Sequence, residues 1–162
     1  IVYGATANIA GPSGDRDVSV EDFCVGPGKT VLKNGELLVS ISVPKPPSGF
    51  GAAYERFIPR NEMDIAVAAV AVSVNLNDSG TNFESVKIAL ASVGPTPIFA
   101  TKASNSLKGK SINESSISEA AAIAKDESSP ISDMRGTIEH RKQLIEVITK
   151  RMLNEAVKRT RG

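Results

Sequence analysis

The sequence predicts an α+β fold in which an antiparallel sheet of about three to four strands packs against C-terminal helices. Three observations predict it. Apolar residues alternate with a period of two between residues 50 and 90, Ala-rich and helically periodic segments follow residue 97, and proline- and glycine-rich turns separate the pieces. Strands first and helices later are the signature of segregated α and β layers.

Residues 1–48 hold short strand-like pieces, beginning with Ile1-Val2-Tyr3. They are broken at Gly11-Pro12-Ser13-Gly14-Asp15, Gly26-Pro27-Gly28 and Pro44-Lys45-Pro46-Pro47-Ser48-Gly49. Glu36 to Val43 is a strand, with Leu38, Ser40 and Ser42 on one side and Leu37, Val39, Ile41 and Val43 on the other. The proline-rich stretch after it marks a module boundary. Phe50 to Ile58 reads as a strand, and a long one follows Asp64, in which Val70, Val72, Val74 and Leu76 alternate with Ala69, Ala71, Ser73 and Asn75. The larger face is expected in a core and the smaller one beneath a close-lying helix. Asn77-Asp78-Ser79-Gly80 turns the chain into Phe83 to Leu90, which makes an antiparallel hairpin or meander. Ala103–Leu107 and Ser118–Lys125 are helix candidates.

The last helix is the best defined. Pro130 and Gly136 bracket a turn, Thr137 offers a capping hydroxyl, and Glu139 sets a negative charge over the free N–H groups of the first turn. From there Ile145, Ile148, Met152 and Ala156 recur at spacings of three and four, while Arg141, Lys142, Lys150, Arg151 and Lys158 are expected on the solvent faces. Glu146 with Lys150, and Glu155 with Arg159, stand four apart in the favourable order.

Composition removes several function classes. Basic residues are interleaved with acidic ones and the formal net charge is only +1, which with an aromatic content of 4% argues against nucleic acid. Neither a leader pattern nor an apolar run near the roughly 20 residues of a membrane span occurs, so no membrane insertion is expected. With Cys24 the one cysteine and His140 the one histidine, no Cys/His metal cage and no intrachain disulfide can form. Cys24, between Phe23 and Val25, is expected to be buried, and His140 to lie on the surface.

Gly26-Pro27-Gly28-Lys29-Thr30 has the ending of a phosphate-binding P-loop, but position 23 is Phe rather than Gly and Pro27 removes an N–H donor. No helix-length segment follows it. Asp15, Asp17, Glu21 and Asp22 lack the ligand spacing of a calcium loop and read as solvated turn carboxylates. Glu55, Arg56, Arg60, Glu62 and Asp64 form a second charged group, in which strand alternation sets Glu55 and Arg56 on opposite faces. No catalytic triad or carboxylate dyad emerges.

Motif order takes the reading further. Glu21-Asp22-Phe23, Gly26-Pro27-Gly28-Lys29-Thr30, Gly35-Glu36-Leu37-Leu38 and Ile41-Ser42-Val43-Pro44 are followed by Tyr54-Glu55-Arg56-Phe57 with Arg60 and Asp64-Ile65-Ala66. Val93-Gly94-Pro95-Thr96-Pro97 and Ser132-Asp133-Met134-Arg135-Gly136 with Glu139 and Arg141 complete the series. Across nearly the whole chain this succession resembles the FAD-binding medium subunit of the molybdenum hydroxylase family, the carbon monoxide, aldehyde and xanthine dehydrogenases.

The resemblance implies that residues 1–48 are the tail of the FAD-binding domain and residues 50–160 the C-terminal domain of the CO dehydrogenase flavoprotein type. It implies FAD as cofactor of the complete subunit, with the molybdenum cofactor and iron–sulfur clusters on partner chains: an iron–sulfur small subunit and a molybdenum-binding large subunit. The role implied is cytoplasmic electron transfer from those clusters through FAD to an acceptor, with the substrate chosen on the large subunit. Two cofactor-binding positions carry over: Leu38, matching a leucine packed near the isoalloxazine, and Arg56, at a position usually lysine. Arginine keeps the charge there and changes its reach and donor geometry. The chain reads as cut from a longer protein and lacks the family's glycine-rich phosphate loops, so alone it is expected to bind FAD poorly and to be inactive. The alternative is a non-catalytic docking or assembly domain of a larger oxidoreductase complex.

Overall fold

A computed structural model describes residues 1–60 and 63–161. Glu62, one of the charged group noted above, lies outside the described residues. In chain order the elements are β1 (Thr6–Ala10), β2 (Arg16–Ser19), α1 (Val20–Phe23), β3 (Cys24–Gly26), β4 (Lys29–Thr30), β5 (Leu37–Ser42), β6 (Phe50–Phe57), β7 (Ala68–Leu76), β8 (Phe83–Ala91), β9 (Ile98–Phe99), α2 (Thr101–Ser106), α3 (Glu114–Glu127) and α4 (Ile138–Arg159). They form antiparallel sheets ordered β2-β1-β5, β3-β4 and β6-β7-β8-β9. The α+β class and the four-stranded sheet are as the sequence predicts. No helix among the described residues is long and apolar enough to cross a membrane.

The main core lies between the four-stranded sheet and the helices. Val70, Val72 and Val74 on β7, with Ile88 and Leu90 on β8, meet Ile145, Ile148 and Leu153 on α4 and Ile117 on α3. Each such side chain contributes roughly 1.5–3 kcal/mol on full burial. That term decides which face the helices take, and corrects one expectation. They cover the branched face, while the small face of Ala69, Ala71 and Ser73 receives the first residues of the chain: Ser73 Oγ donates to the Val2 carbonyl at 2.8 Å, and Tyr3 lies 5.1 Å from Phe50, ring to ring. Close helix approach occurs instead on β6, where a Cβ at Gly51 would collide with the Ala156 carbonyl oxygen and lie 2.9 Å from Thr160 N.

Helix α4 starts where its sequence says it should, with Thr137 accepting from His140 N at 3.2 Å. Ile145, Ile148, Met152 and Ala156 are buried. Arg141 is the correction: placed on a solvent face by helical periodicity, it is 4% exposed. Its Nη2 donates to both Asp133 carboxylate oxygens, at 2.7 and 2.8 Å, and its Nη1 to the carbonyls of Val67 at 2.6 Å and Ser92 at 3.1 Å. One side chain thus joins the start of α4 to the entry of β7, the exit of β8 and the turn closed by reciprocal Asp133 and Gly136 backbone bonds. The second correction is Cys24, which is exposed at the start of the two-stranded β3–β4 hairpin that follows the single-turn α1.

Arg141→Ala removes four bonds from a buried charge site and is expected to destabilise the fold by about 3 kcal/mol. Arg141→Lys, without the planar fork, should restore less than half of that. Urea unfolding checks both, and a loss in Arg141→Ala no larger than that of an exposed α4 substitution would contradict the assigned role.

Candidate functional site

The two carried-over positions sit on different sheets. Leu38 lies on β5, the edge strand of β2-β1-β5, and is 40% exposed. Ser40 and Ser42 on the same strand both donate to Asn8 Oδ1, at 3.0 and 2.7 Å. A register shift between Asn8 and Ile9 then pairs Leu38 with Ile9 and leaves Val39 as the extra residue. Since directly paired residues share a face, this β-bulge takes Leu38 off the serine face predicted for it and sets it with the apolar partners Ile9 and Ala7. Leu37, Val39 and Ile41 are also exposed, so the strand offers apolar side chains to whatever lies beside it.

Arg56 lies on β6 opposite Ala69, whereas Glu55 pairs with Val70 on the core face and reaches Arg151 of α4 at 3.3 Å. The predicted separation of Glu55 and Arg56 is therefore present. Arg56 is exposed, and two residues earlier Tyr54 is 61% exposed on the same face. Beside them Ala69, Ala71, Ala89, Ala91 and Pro97 wall a shallow cleft of about 170 Å³ that also takes Ile1 and Val2.

Phosphate recognition is another matter. The N–H groups at the helix starts already have acceptors: Lys102 N and Ala103 N of α2 donate to the Glu127 carboxylate at 3.0 and 2.9 Å, and Ser116 N of α3 to Asn113 Oδ1 at 2.9 Å. On α4, Ile138 N donates to Ser132 Oγ at 3.0 Å and His140 N to Thr137 Oγ1. Gly26 to Lys29 is the tip of the β3–β4 hairpin, not the approach to a helix. At α2, α3 and α4 a capping acceptor thus already takes part of the first turn that a pyrophosphate would need.

Sequence reasoning missed the ionic chain that follows β6. Asp64, 7% exposed at its side chain, accepts from Arg60 N at 3.1 Å, Ile65 N at 2.9 Å and Arg135 Nη1 at 3.2 Å. Burial pushes its carboxyl up, but these donors and the Arg60 charge outweigh burial and hold it below the ordinary aspartate value. The Arg141 guanidinium lowers Asp133 likewise. In the first half, Arg16 forks onto Glu36 with two bonds of 2.8 Å, which with the Lys33 N–H brings that carboxyl down to about 2. The only sequence signal was the presence of paired opposite charges, which usually means a solvated surface. Asp15, Asp17, Glu21 and Asp22 are all exposed.

The family model for the CO dehydrogenase flavoprotein C-terminal domain matches residues 52–156, and that for the FAD binding domain in molybdopterin dehydrogenase matches residues 1–46. The chain belongs to the CO dehydrogenase flavoprotein C-terminal domain family. It is 35% identical over 98% of its length to the carbon monoxide dehydrogenase medium chain of Afipia carboxidovorans, covering 54% of that protein. With the xanthine dehydrogenase FAD-binding subunit of Escherichia coli O157:H7 it shares 31% identity, over 97% of this chain and 53% of that one. Its backbone matches the crystal structure of Cu,Mo-CO dehydrogenase with a TM-score of 0.90 at 34% identity, and the Hydrogenophaga pseudoflava enzyme lacking its Mo-pyranopterin moiety with 0.92 at 32%; each match covers 98% of this chain and 54% of the other. The resemblance to FAD-binding medium subunits read from motif order is borne out. The chain spans about half the length of the curated relatives it matches.

Because Glu36, Asp64 and Asp133 titrate lower in the folded chain than in the unfolded one, the unfolded chain binds more protons at acid pH. Stability should therefore hold above about pH 5 and fall as pH drops through the native values toward pH 2. Thermal melts across that range check this. Glu36→Gln should show a shallower decline, and an equal slope would mean that the Arg16 pair does not lower that carboxyl.

Proposed function

We propose that this chain is part of the FAD-carrying electron-transfer subunit of a molybdenum-containing hydroxylase or dehydrogenase. In this reading residues 1–48 close the FAD-binding domain and residues 50–160 form the C-terminal domain. Electrons pass from iron–sulfur clusters on a small subunit through FAD to an acceptor, and the molybdenum cofactor and substrate belong to a large subunit. The proposal includes a cytoplasmic location. What carries it is the order of two matched family models along one chain, supported by likeness to medium and FAD-binding subunits at 30–35% identity over more than nine-tenths of its length.

The residues present suit only the ring end of the cofactor. Leu38 supplies an accessible apolar contact and Arg56 an accessible cation, while the helix starts have their N–H groups engaged. When bound, FAD supplies two-electron and one-electron redox chemistry. Arg56 would hold positive charge beside the ring and favour its anionic reduced form. Leu38 would hold the ring by packing. The docking or assembly reading is compatible with this one and is favoured by the apolar side chains left exposed at Ile65 and Ile131.

In the full-length subunit, Arg56→Ala is expected to lower the flavin reduction potential. A differential loss of about 1.4 kcal/mol corresponds to roughly 30 mV for a two-electron couple. Leu38→Ala should instead reduce FAD content after gel filtration and leave the potential closer to wild type. Spectroelectrochemical titration and cofactor assay separate the two effects. An unchanged potential in the first variant with normal FAD content in the second would remove both residues from the flavin site.

A further inference from the structure

Strand β5 carries one residue more than its partner β1 accommodates, and it is held on both sides of the excess. On one side Ser40 and Ser42 donate to Asn8 Oδ1. On the other, Glu36 accepts from Arg16 Nε and Nη2, each at 2.8 Å, and from Lys33 N at 2.6 Å, with its side chain 9% exposed. Arg16 opens β2, so this ion pair reaches over β1 and joins the two outer strands of the sheet. Arg16, Ile9 and Leu38 are direct partners in a row across the three strands and share one face.

The competing arrangement is a β5 without the bulge. Anchored at the same Asn8–Ser40 pair, it would set Val39 opposite Ile9 and Leu38 opposite Ala10. A slip of one residue inverts faces, so it would return Leu38 to the serine face and turn Glu36 away from Arg16 together. The ion pair is therefore compatible with the bulged register alone. Gly11 leaves the room it needs: a Cβ there would lie 2.8 Å from Glu36 Cγ, inside the roughly 3.5 Å at which carbon atoms pack. Arg16 also donates to the Val31 carbonyl at 2.8 Å, which ties the loop leading into β5 to the same guanidinium.

We propose that Glu36 is a positioning residue for the cofactor: paired with Arg16 over Gly11, it keeps β5 in the bulged register and so presents Leu38 on the face from which it packs against the flavin ring. This role rests on the function proposed above. Its effect reaches the ring only through Leu38. Loss of Glu36 should therefore change how tightly FAD is held and leave the potential set by Arg56, on the other sheet, unchanged.

The test uses the full-length subunit. Glu36→Gln, which removes the charge and keeps the shape, should weaken FAD binding about fivefold or more, and Gly11→Ala, which displaces Glu36 with both charges intact, should do the same. In the Leu38→Ala background neither substitution should cost further affinity, because the contact they place is already gone. Methyl NMR of the flavin-free subunit reads the register directly: the Ile9–Leu38 contact should weaken in both variants and an Ile9–Val39 contact replace it. Wild-type FAD affinity in both variants would overturn the proposal, as would a loss that adds in full to that of Leu38→Ala, a falling flavin potential, or an unchanged Ile9–Leu38 contact. Should Glu36→Gln melt early, Arg16→Lys, which keeps a cation and loses the fork, must weaken binding at an unchanged melting temperature. A wild-type subunit purified without flavin and unable to take it up refutes the function proposed above, whereas flavin-loaded variants of wild-type affinity refute only the role of Glu36.

Discussion

The guanidinium of Arg141 is the interaction on which the second half of this fold is organised. A buried guanidinium loses several kcal/mol of hydration, and only good geometry with several acceptors offsets that loss. Here two carboxylate oxygens and two backbone carbonyls face it, each such charge-assisted bond contributing roughly 1.5–3 kcal/mol. The terms come near to balance, so the gain lies in which segments must coexist rather than in net stability. Val67 O, Ser92 O and Asp133 can be satisfied together only when β7, β8 and α4 meet at one end, the end from which β6 delivers Arg56.

Elements whose signal is local were legible in the sequence. The Thr137 cap, the apolar stripe of α4 and the alternation of β7 depend on spacing alone, and they appear where spacing sets them. α3 begins at Glu114, earlier than its Ala-rich run suggests, because Asn113 and Ser116 exchange a capping box that composition does not reveal. β9 is a two-residue strand beside Pro97, too short for any periodicity.

Interactions that join distant segments were not legible. Helical periodicity assigns Arg141 to water, since nothing within α4 announces that Asp133, eight residues earlier, folds back through the turn. Leu38 was assigned to the wrong face, because one extra residue in β5 inverts the alternation and a bulge leaves no mark in a run of aliphatic and serine residues. Cys24 sits between two apolar residues yet is exposed on the β3–β4 hairpin, since neighbours in sequence do not by themselves bury a side chain.

Under the proposed function, the residues present suit one part of a dinucleotide only. An apolar residue and a cation are accessible for the ring, while Glu127, Asn113, Ser132 and Thr137 take up the helix-start N–H groups that would hold phosphates. Dinucleotide affinity leans on such phosphate contacts, so under the proposed function this chain by itself is expected to hold FAD weakly. Calorimetric titration of this 162-residue chain with FAD tests that expectation most directly. Binding weaker than micromolar is expected, and saturable binding at micromolar concentration or below would contradict it.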